Sequence, residues 1–249
     1  MDNTPFFILG CVRSGTTLLR DMLRLHPRLE CPEETHFFRW PDPFGTDRYN
    51  NNYKGAKLFK THRQMDEIPD LEFHCGLQLL GSRKELSDHY AKLYLKGKGN
   101  PEGRWFDKTP QNVYGILLIS SMYPDSKFVH IYRNPLNVVS SLVEGKVMAK
   151  HNVIGGVNYW MESMRIIDEY KKLAPMRIIE VCYEQLVLAP QKHVNEILTF
   201  LNEDISLIRY QEGQTHKEKN KFKKVLSRED IEIIKTKTEP YYSAYGYAE

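Results

Sequence analysis

The chain has 249 residues, of which 41% are hydrophobic and 27% are charged, and this composition is typical of a globular protein with a full core. We expect a single domain over residues 1–249. The formal net charge of +3 is compatible with an anionic small ligand but gives no indication of nucleic-acid binding. No apolar run approaches the roughly 18 residues of a membrane-spanning helix, and strand-like sequence begins close to Met1. We therefore expect no integral membrane segment and a cytoplasmic location.

The cysteines are spread along the chain without a C-x-x-C pair. Such spacing does not indicate a zinc site or a disulfide framework. We expect buried free thiols at all four positions, which are Cys11, Cys31, Cys75 and Cys182.

Five short apolar runs alternate with segments of helical periodicity, a pattern that predicts a mostly parallel sheet flanked by helices. The fourth and fifth runs are almost continuously apolar, as in strands that are buried on both faces. The predicted fold class is therefore α/β. The predicted strands are Pro5–Leu9, Arg28–Cys31, Arg104–Phe106, Lys127–Tyr132 and Met176–Cys182.

The sequence GCVRSGTT, residues 10–17, joins the first predicted strand to a helix-period run. In a strand–loop–helix connection the loop N–H groups and the positive end of the helix dipole converge, which suits a phosphate or a sulfate. A nucleotide triphosphatase loop carries a lysine where this chain has Thr16, and here the positive charge comes from Arg13. This glycine loop predicts an anion site in a P-loop-type sheet, with an ordinary strand-to-helix turn as the alternative.

Residues 35–103 are the least regular part of the chain, and we expect them to form an insertion over the sheet edge that selects the substrate. The insertion has a polar loop at residues 49–53 and helical character from His74 to Leu95. Its aromatic side chains could line a pocket, but core packing explains most of them. These side chains are Phe37, Phe38, Trp40, Phe44, Tyr49 and Tyr53.

Two Thr/Asn-Pro pairs, Thr109-Pro110 and Asn134-Pro135, predict helix starts, each with a capping side chain and a proline in the first turn. A last helix is predicted from Ser227 to Lys237, and it follows a lysine-rich segment at residues 212–224. Read without other context, that segment is a solvated charged loop.

Polar side chains follow all five predicted strands, and in a parallel sheet these ends meet at one edge. The cations Arg13, Lys108 and Arg133 are the set that an extended polyanion would need. Ser141 lies seven residues beyond the Asn134 cap, on nearly the same helix face and about 10 Å along the axis. One ligand along that helix could therefore contact both Arg133 and Ser141.

The strand KFVHIY is followed by Arg133, where a Mg²⁺-dependent kinase carries a metal-binding aspartate. The missing loop lysine and the missing aspartate together favour a nucleotide bound by arginine, lysine and backbone donors without a metal. An atypical small-molecule kinase and a catalytically silent nucleotide-binding protein are the alternatives.

Two segments resemble motifs of the sulfotransferases that use 3′-phosphoadenosine 5′-phosphosulfate (PAPS) and release 3′,5′-adenosine bisphosphate (PAP). VRSGTTLL resembles their 5′-phosphosulfate motif, and YRNPLNVVSSL resembles their 3′-phosphate motif. The E-E-T segment after the second strand, FDKTP and CYEQLVLAP are most similar to the tyrosylprotein sulfotransferase branch.

The resemblance implies in-line transfer of a sulfuryl group from PAPS to an acceptor hydroxyl. It implies that Glu34 is the general base and that Lys108 and Arg13 stabilise the transferring group. His36 is the rival base, since a histidine has that role elsewhere in the family. Residues 212–224 would form a basic lid over the nucleotide. The implied nucleotide-binding residues are Arg13, Ser14, Gly15, Thr16 and Thr17 at the phosphosulfate, Arg133 and Ser141 at the 3′-phosphate, and Tyr183 at the adenine.

This chain differs from the tyrosylprotein branch in three respects, and these differences limit which features of that branch can be assigned to it. The disulfide that this branch forms from the position of Cys31 has no partner here, because the other position falls at Trp105-Phe106. An arginine of that branch is replaced near Gly145, with Lys146 as a stand-in. The branch is also longer and anchored in a membrane. The acceptor therefore stays open among a peptide tyrosine, a sugar, a lipid head group and a phenolic small molecule, and the oligomeric state is not indicated.

Overall fold

A computed structural model describes residues 3–54, 56–145, 152–208 and 220–247. Its central sheet has five parallel strands in the spatial order β2-β3-β1-β4-β5. The first three strands occupy one side and the last two the other, so the strand order reverses at β1 and a ligand crevice is expected there. This architecture confirms the predicted α/β class. The strands are β1 (Phe6–Leu9), β2 (Leu29–Glu30), β3 (Arg104–Lys108), β4 (Phe128–Tyr132) and β5 (Ile178–Cys182).

Helices in the described ranges cover both faces of the sheet. Short 3₁₀ helices at Pro110–Gly115, Pro175–Arg177 and Ile205–Leu207 connect some of them. The α-helices are α1 (Thr16–Leu23), α2 (Asp47–Lys54), α3 (Lys57–Met65), α4 (Asp70–Leu79), α5 (Arg83–Gly97), α6 (Ile116–Met122), α7 (Pro135–Glu144), α8 (Val153–Leu173), α9 (Tyr183–Leu188), α10 (Pro190–Leu201), α11 (Phe222–Val225), α12 (Arg228–Thr238) and α13 (Tyr241–Ala244).

Alternate side chains of each strand point to opposite faces of the sheet. In β1, Phe7 and Leu9 pack with residues of α6, α8 and the insertion, whereas Phe6 and Ile8 pack with α1, α9 and α10. All four side chains are fully buried. Both faces are therefore apolar, and this explains the nearly continuous apolar runs in the sequence.

The insertion at residues 35–103 is more regular than predicted, because it forms the four helices α2 to α5. The expected polar loop at residues 49–53 is wrong. These residues belong to the helix α2. Tyr49 and Tyr53 lie one helical turn apart, and both side chains are buried in the core. Core packing is confirmed for Phe37 and Phe38, which are 1% and 2% exposed, while Trp40 is only partly buried.

The predicted helix from His74 to Leu95 is interrupted. Its first part belongs to α4, which ends at Leu79, and α5 begins at Arg83. The break has a capping reason, because the Ser82 side chain accepts a hydrogen bond from the Glu85 N–H at 3.1 Å.

The two predicted proline-linked caps differ. Asn134 caps α7 as predicted, since its Oδ1 accepts the Leu136 N–H at 2.9 Å. Thr109 lies at the N-cap of a helix with Pro110 in its first turn, so the predicted start is confirmed, but its side chain makes no capping hydrogen bond and that part of the prediction is wrong. Residues Pro110–Gly115 form a 3₁₀ helix, and Thr109 Oγ1 instead accepts the N–H of His36 at 3.4 Å.

Strand ends and the C-terminal helices also shift from their predicted limits. β3 continues to Lys108, and β5 begins only at Ile178 because Pro175–Arg177 form a 3₁₀ turn. The helix predicted from Ser227 is α12, capped by that serine, but α13 follows it in the chain.

The four cysteines are free. Cys11 and Cys31 are buried and Cys182 is half-buried, whereas Cys75 is exposed, so the expected burial is wrong for Cys75. Within the described ranges, none of the helices is both long and apolar enough to cross a membrane.

Candidate active site

The glycine loop lies at the carboxyl end of β1, and its backbone enters the left-handed region at Arg13 (φ 73°) and Gly15 (φ 96°). Gly15 occupies the N-cap of α1, whose end carries no side-chain cap and no acidic residue in its first turn. The first N–H groups of a helix need partners, and an anion supplies them.

Glycine is also the only residue type that fits at position 15. A Cβ atom there would overlap the ring of Tyr183, and the positive φ angle is unfavourable for any residue with a side chain. Next to it, Ser14 is fully buried and its hydroxyl has no hydrogen-bond partner among the described residues. An orphaned hydroxyl under a glycine turn fits a loop that holds an anionic oxygen.

The two predicted arginines are linked to each other through the loop. Arg13 Nε donates to Ser141 Oγ at 3.0 Å, and Arg133 Nη1 donates to the carbonyl oxygen of Arg13 at 3.1 Å. The guanidinium of Arg133 lies 4.4 Å from the centre of the Tyr183 ring. Residues assigned to opposite ends of the nucleotide thus form one connected group.

These side chains line a cleft of about 620 Å³ at the carboxyl edge of the sheet, which we call the loop cleft. Thr16, Thr17 and Glu34 also line it. The structure therefore brings the sequence-predicted residues into one cleft, apart from Ser14 beneath the loop and Lys108 at the base of Glu34.

Lys108 and Glu34 form a close ion pair. Lys108 Nζ donates to Glu34 Oε1 at 2.5 Å and to Thr17 Oγ1 at 3.3 Å. The lysine side chain is 2% exposed, whereas the glutamate is 24% exposed. Because Lys108 ends β3 and Glu34 follows the neighbouring strand β2, the parallel sheet itself brings the two side chains together.

Asp107 holds the segment next to Glu34 in place, a role that was not predicted from the sequence. Thr35 Oγ1 donates to Asp107 Oδ2 at 2.5 Å, and Asn112 Nδ2 donates to Oδ1 at 2.8 Å. Asp107 is 1% exposed, and burial raises its pKa to about 6. The carboxylate therefore ties the Glu34 segment to the 3₁₀ helix that follows β3.

His36 lies behind Glu34 and is 1% exposed. Burial, and then the charges of Arg39, His62 and Lys108, lower its pKa to about 2, so the imidazole is neutral. Arg39 Nη1 lies 3.3 Å from His36 Nδ1, and a guanidinium can only donate. This assigns the ring proton to Nε2, which faces Glu34 Oε2 at 3.4 Å, so the contact is not an ion pair.

A second cleft, of about 760 Å³, opens beside the loop cleft and shares Val12 and Gln111 with it. We call it the outer cleft. Trp40, Tyr114 and Tyr159 contribute aromatic rings to its lining. Of these rings, only Trp40 was predicted from the sequence as a possible pocket residue, because Tyr114 and Tyr159 lie in helical segments where nothing distinguishes them from surface residues. Gln111 could have been predicted as a site residue because it follows Pro110.

The predicted lid at residues 212–224 lies mostly outside the described residues, as does Lys146. Of this segment, the structure describes residues 220–224, which include Lys221, Lys223 and Lys224. Asn220 Oδ1 accepts a hydrogen bond from Asn137 Nδ2 at 3.2 Å. Among the described residues no group of three or more His, Cys, Asp or Glu side chains could hold a metal ion. The lid, like metal independence, stays a prediction.

The sheet order, the glycine loop and the cleft at its end define a P-loop-type α/β protein. The model of the Sulfotransferase family matches residues 5–206, and the chain belongs to this family. Protein-tyrosine sulfotransferase 2 of Gallus gallus is 27% identical over 207 residues, which cover 78% of this chain and 50% of that protein. The chain spans about half the length of the curated relatives it matches, with 25%, 64% and 50% for three of them.

Solved sulfotransferase structures share the fold. The sulfotransferase domain from the curacin biosynthetic pathway matches with a TM-score of 0.61 and 23% identity, covering 98% of both chains. A mouse sulfotransferase complexed with PAP matches with a TM-score of 0.53 and 10% identity, covering 95% of this chain and 84% of that one.

Proposed function

We propose that the protein transfers a sulfuryl group from PAPS to an acceptor hydroxyl. The observation that carries the proposal is the Lys108–Glu34 pair, a proton acceptor and a cation held together in the cleft beside the glycine loop. Membership of the sulfotransferase family supports the same reaction. The protein-tyrosine sulfotransferases among the relatives support a peptide tyrosine as one acceptor class, next to a sugar, a lipid head group and a phenolic small molecule.

The loop cleft suits the donor nucleotide. The Ser14 hydroxyl, the Arg13 guanidinium and the N–H groups of Gly15, Thr16 and Thr17 would hold the 5′-phosphosulfate. Charge-assisted hydrogen bonds of this kind contribute about 1.5–3 kcal/mol each.

The same cleft also suits the adenosine and its 3′-phosphate. Arg133 and Ser141 would hold the phosphate, and the Tyr183 ring offers a flat face to the adenine. That ring already lies under the Arg133 guanidinium, so the two contacts are pre-arranged before the nucleotide binds.

Glu34 is the better general base of the two candidates. Its carboxylate lines the loop cleft, whereas His36 is buried behind it. A base with a pKa of about 2 accepts protons poorly near neutral pH, and the accepting nitrogen of His36 already faces Arg39. We assign the proton transfer to Glu34.

In the proposed reaction the acceptor oxygen attacks sulfur, the bond from sulfur to the phosphate oxygen breaks, and the hydroxyl proton goes to Glu34. Lys108 contacts both Glu34 and Thr17, so its ammonium is placed to move from the carboxylate to the transferring group and release the base. Arg13 and the loop N–H groups stabilise the departing phosphate. Each such donor is typically worth about 3–4 kcal/mol, roughly 10²–10³ in rate.

The test is conversion of PAPS to PAP in the presence of an acceptor panel containing tyrosine peptides, neutral and acidic oligosaccharides, lipid head groups and simple phenols. The expected result is acceptor-dependent PAP formation with sulfate on the acceptor. PAP binding without turnover on any member would favour the silent nucleotide-binding protein. Phosphate transfer from Mg·ATP would favour the kinase.

A further inference from the structure

The outer cleft adjoins the loop cleft. They share Val12 and Gln111, and Glu34 lies in the wall of the loop cleft. A ligand that extends from the outer cleft into the loop cleft would therefore come next to Glu34. What that ligand is follows from the chemistry of the lining.

Three aromatic side chains line the outer cleft. The rings of Tyr114 and Tyr159 are stacked, with centroids 6.1 Å apart and an angle of 22° between their planes. Trp40 is the third ring, and the guanidinium of Arg39 lies 4.2 Å from its centroid. Flat ring faces of this kind pack against the C–H face of a pyranose as well as against another aromatic ring.

Three carboxamides are among the polar groups of the outer cleft. Gln111, Asn152 and Asn158 line the cleft, and an amide can donate and accept at once, as vicinal sugar hydroxyls also do. Asn152 Oδ1 already accepts the N–H of Gly155 at 2.9 Å, so its Nδ2 is the group that it offers to a ligand. The Oε1 atom of Gln111 is buried and has no hydrogen-bond partner among the described residues. A buried acceptor without a partner, at the junction of the two clefts, points to a ligand that donates a hydrogen bond there.

The described lining carries one cation and one anion, Arg39 and Glu162, and both are already engaged. Arg39 stacks on Trp40 and lies 3.3 Å from His36 Nδ1. Glu162 Oε2 accepts a hydrogen bond from the Tyr114 hydroxyl at 2.8 Å. The described lining of the outer cleft is therefore close to neutral, in contrast to the loop cleft with Arg13 and Arg133, and these residues offer little to an acidic peptide or a polyanionic glycan.

Among the residues that the structure describes, the lining also has no strand edge that could pair with a peptide backbone. Its described residues come from the glycine loop, the segment 39–41, the 3₁₀ helix Pro110–Gly115 and the first turns of α8, so no strand edge faces the cleft. Side chains alone would have to satisfy the amides of a bound peptide.

We propose that the outer cleft binds a neutral sugar residue of a glycan acceptor, stacked on its aromatic rings and held by its carboxamides, with one hydroxyl directed to Glu34. This inference rests on the proposed function and names the acceptor class. It favours sugars over peptide tyrosines although several relatives are named for tyrosine.

The experiment uses the full chain saturated with PAP, so that acceptor binding is observed without turnover. Saturation-transfer NMR is recorded with lactose, cellobiose, maltose, mannobiose and N,N′-diacetylchitobiose, and in parallel with a neutral and an acidic tyrosine peptide. The same compounds are then offered with PAPS, and products are identified by mass spectrometry. Trp40→Leu is the test variant, and Met176→Ala, an 84% exposed residue remote from both clefts, is the control.

We expect transfer of magnetisation to the C–H groups of at least one disaccharide, and sulfation of the same compound. Trp40→Leu should raise its KM about tenfold, the effect of one lost aromatic contact, and leave PAP affinity unchanged. Met176→Ala should change neither. PAP binding with sulfation of a tyrosine peptide, and no contact with any disaccharide, would overturn the inference and leave the proposed function intact. Failure to bind PAP would overturn both.

Discussion

Glu34 and Glu33 are adjacent in sequence but have different surroundings. Glu34 pairs with Lys108 and lines the loop cleft, whereas Glu33 Oε2 accepts a hydrogen bond from Arg20 Nη1 at 2.8 Å and does not line that cleft. The pair therefore provides a matched test of the general base, because each glutamate can be replaced by its amide.

Glu34→Gln should bind PAP with nearly unchanged affinity and lose about 10²–10⁴ of the transfer rate, the usual contribution of general base catalysis. Glu33→Gln should retain the transfer rate. Single-turnover rates at saturating PAPS and acceptor make the comparison. A Glu34→Gln enzyme that transfers at the wild-type rate would remove Glu34 from the mechanism.

Asp107 should make stability depend on pH. Burial raises its pKa from 3.8 to about 6, so the folded chain holds a proton that the unfolded chain has already lost between these values. The contribution of this group to stability is therefore complete below pH 3.8, declines as the pH rises, and is lost above about pH 6, a change of about 3 kcal/mol.

Asp107→Asn cannot ionise and should lack this decline. Relative to wild type, its free energy of unfolding should rise between pH 4 and pH 7, on top of a constant loss from the hydrogen bond to Thr35 or Asn112 that an amide cannot accept. Urea unfolding at several pH values measures the difference. Parallel curves for the two proteins would show that Asp107 does not titrate as described.

At the scale of elements, the glycine loop depends on two properties of Gly15, its positive φ and the absence of a side chain against Tyr183. Gly15→Ala should lower the free energy of unfolding by about 1–2 kcal/mol or more and weaken PAP binding at least about tenfold, because the ring must move. Gly99 has a φ of +69° with nothing within 4 Å of a Cβ, so it is the matched control.

Gly99→Ala should lower the free energy of unfolding because of its positive φ, and it should leave PAP affinity unchanged. Thermal unfolding and PAP titration of both variants separate the effect of backbone strain from the effect of overlap with the Tyr183 ring. Equal PAP affinities for Gly15→Ala and wild type would mean that Tyr183 has no part in nucleotide binding.

The strands and the glycine loop could be predicted because their signals are local, a buried apolar run and a glycine turn before a helix. The predictions of a Thr109 side-chain cap and of a loop at residues 49–53 were wrong because tertiary contacts determine the conformation at both places. Thr109 is drawn to the backbone of His36, and Tyr49 and Tyr53 are drawn into the aromatic core. Local polarity therefore predicted the wrong element wherever a few buried side chains set the conformation.

For the whole molecule, the rule that ligands bind at the carboxyl edge of a parallel sheet was enough to predict which side chains meet. It places Lys108 beside Glu34 and Arg133 beside Tyr183, as the structure does. It could not predict the role of Asp107, which comes from hydrogen bonds with Thr35 and Asn112, or that of Gln111, whose buried Oε1 has no partner among the described residues. The single domain, the cytoplasmic location and the lid stay predictions.

The central claim is that the loop cleft binds PAP through Arg13, Arg133 and the loop without a metal. Calorimetric titration of PAP in EDTA and in Mg²⁺, with Mg·ATP as the comparison, tests it most directly. We predict equal PAP affinity in both buffers, weaker binding of Mg·ATP, and a loss of about 10- to 100-fold in PAP affinity for Arg133→Ala. No binding of PAP, or binding of ATP that requires Mg²⁺ and exceeds that of PAP, would contradict the account.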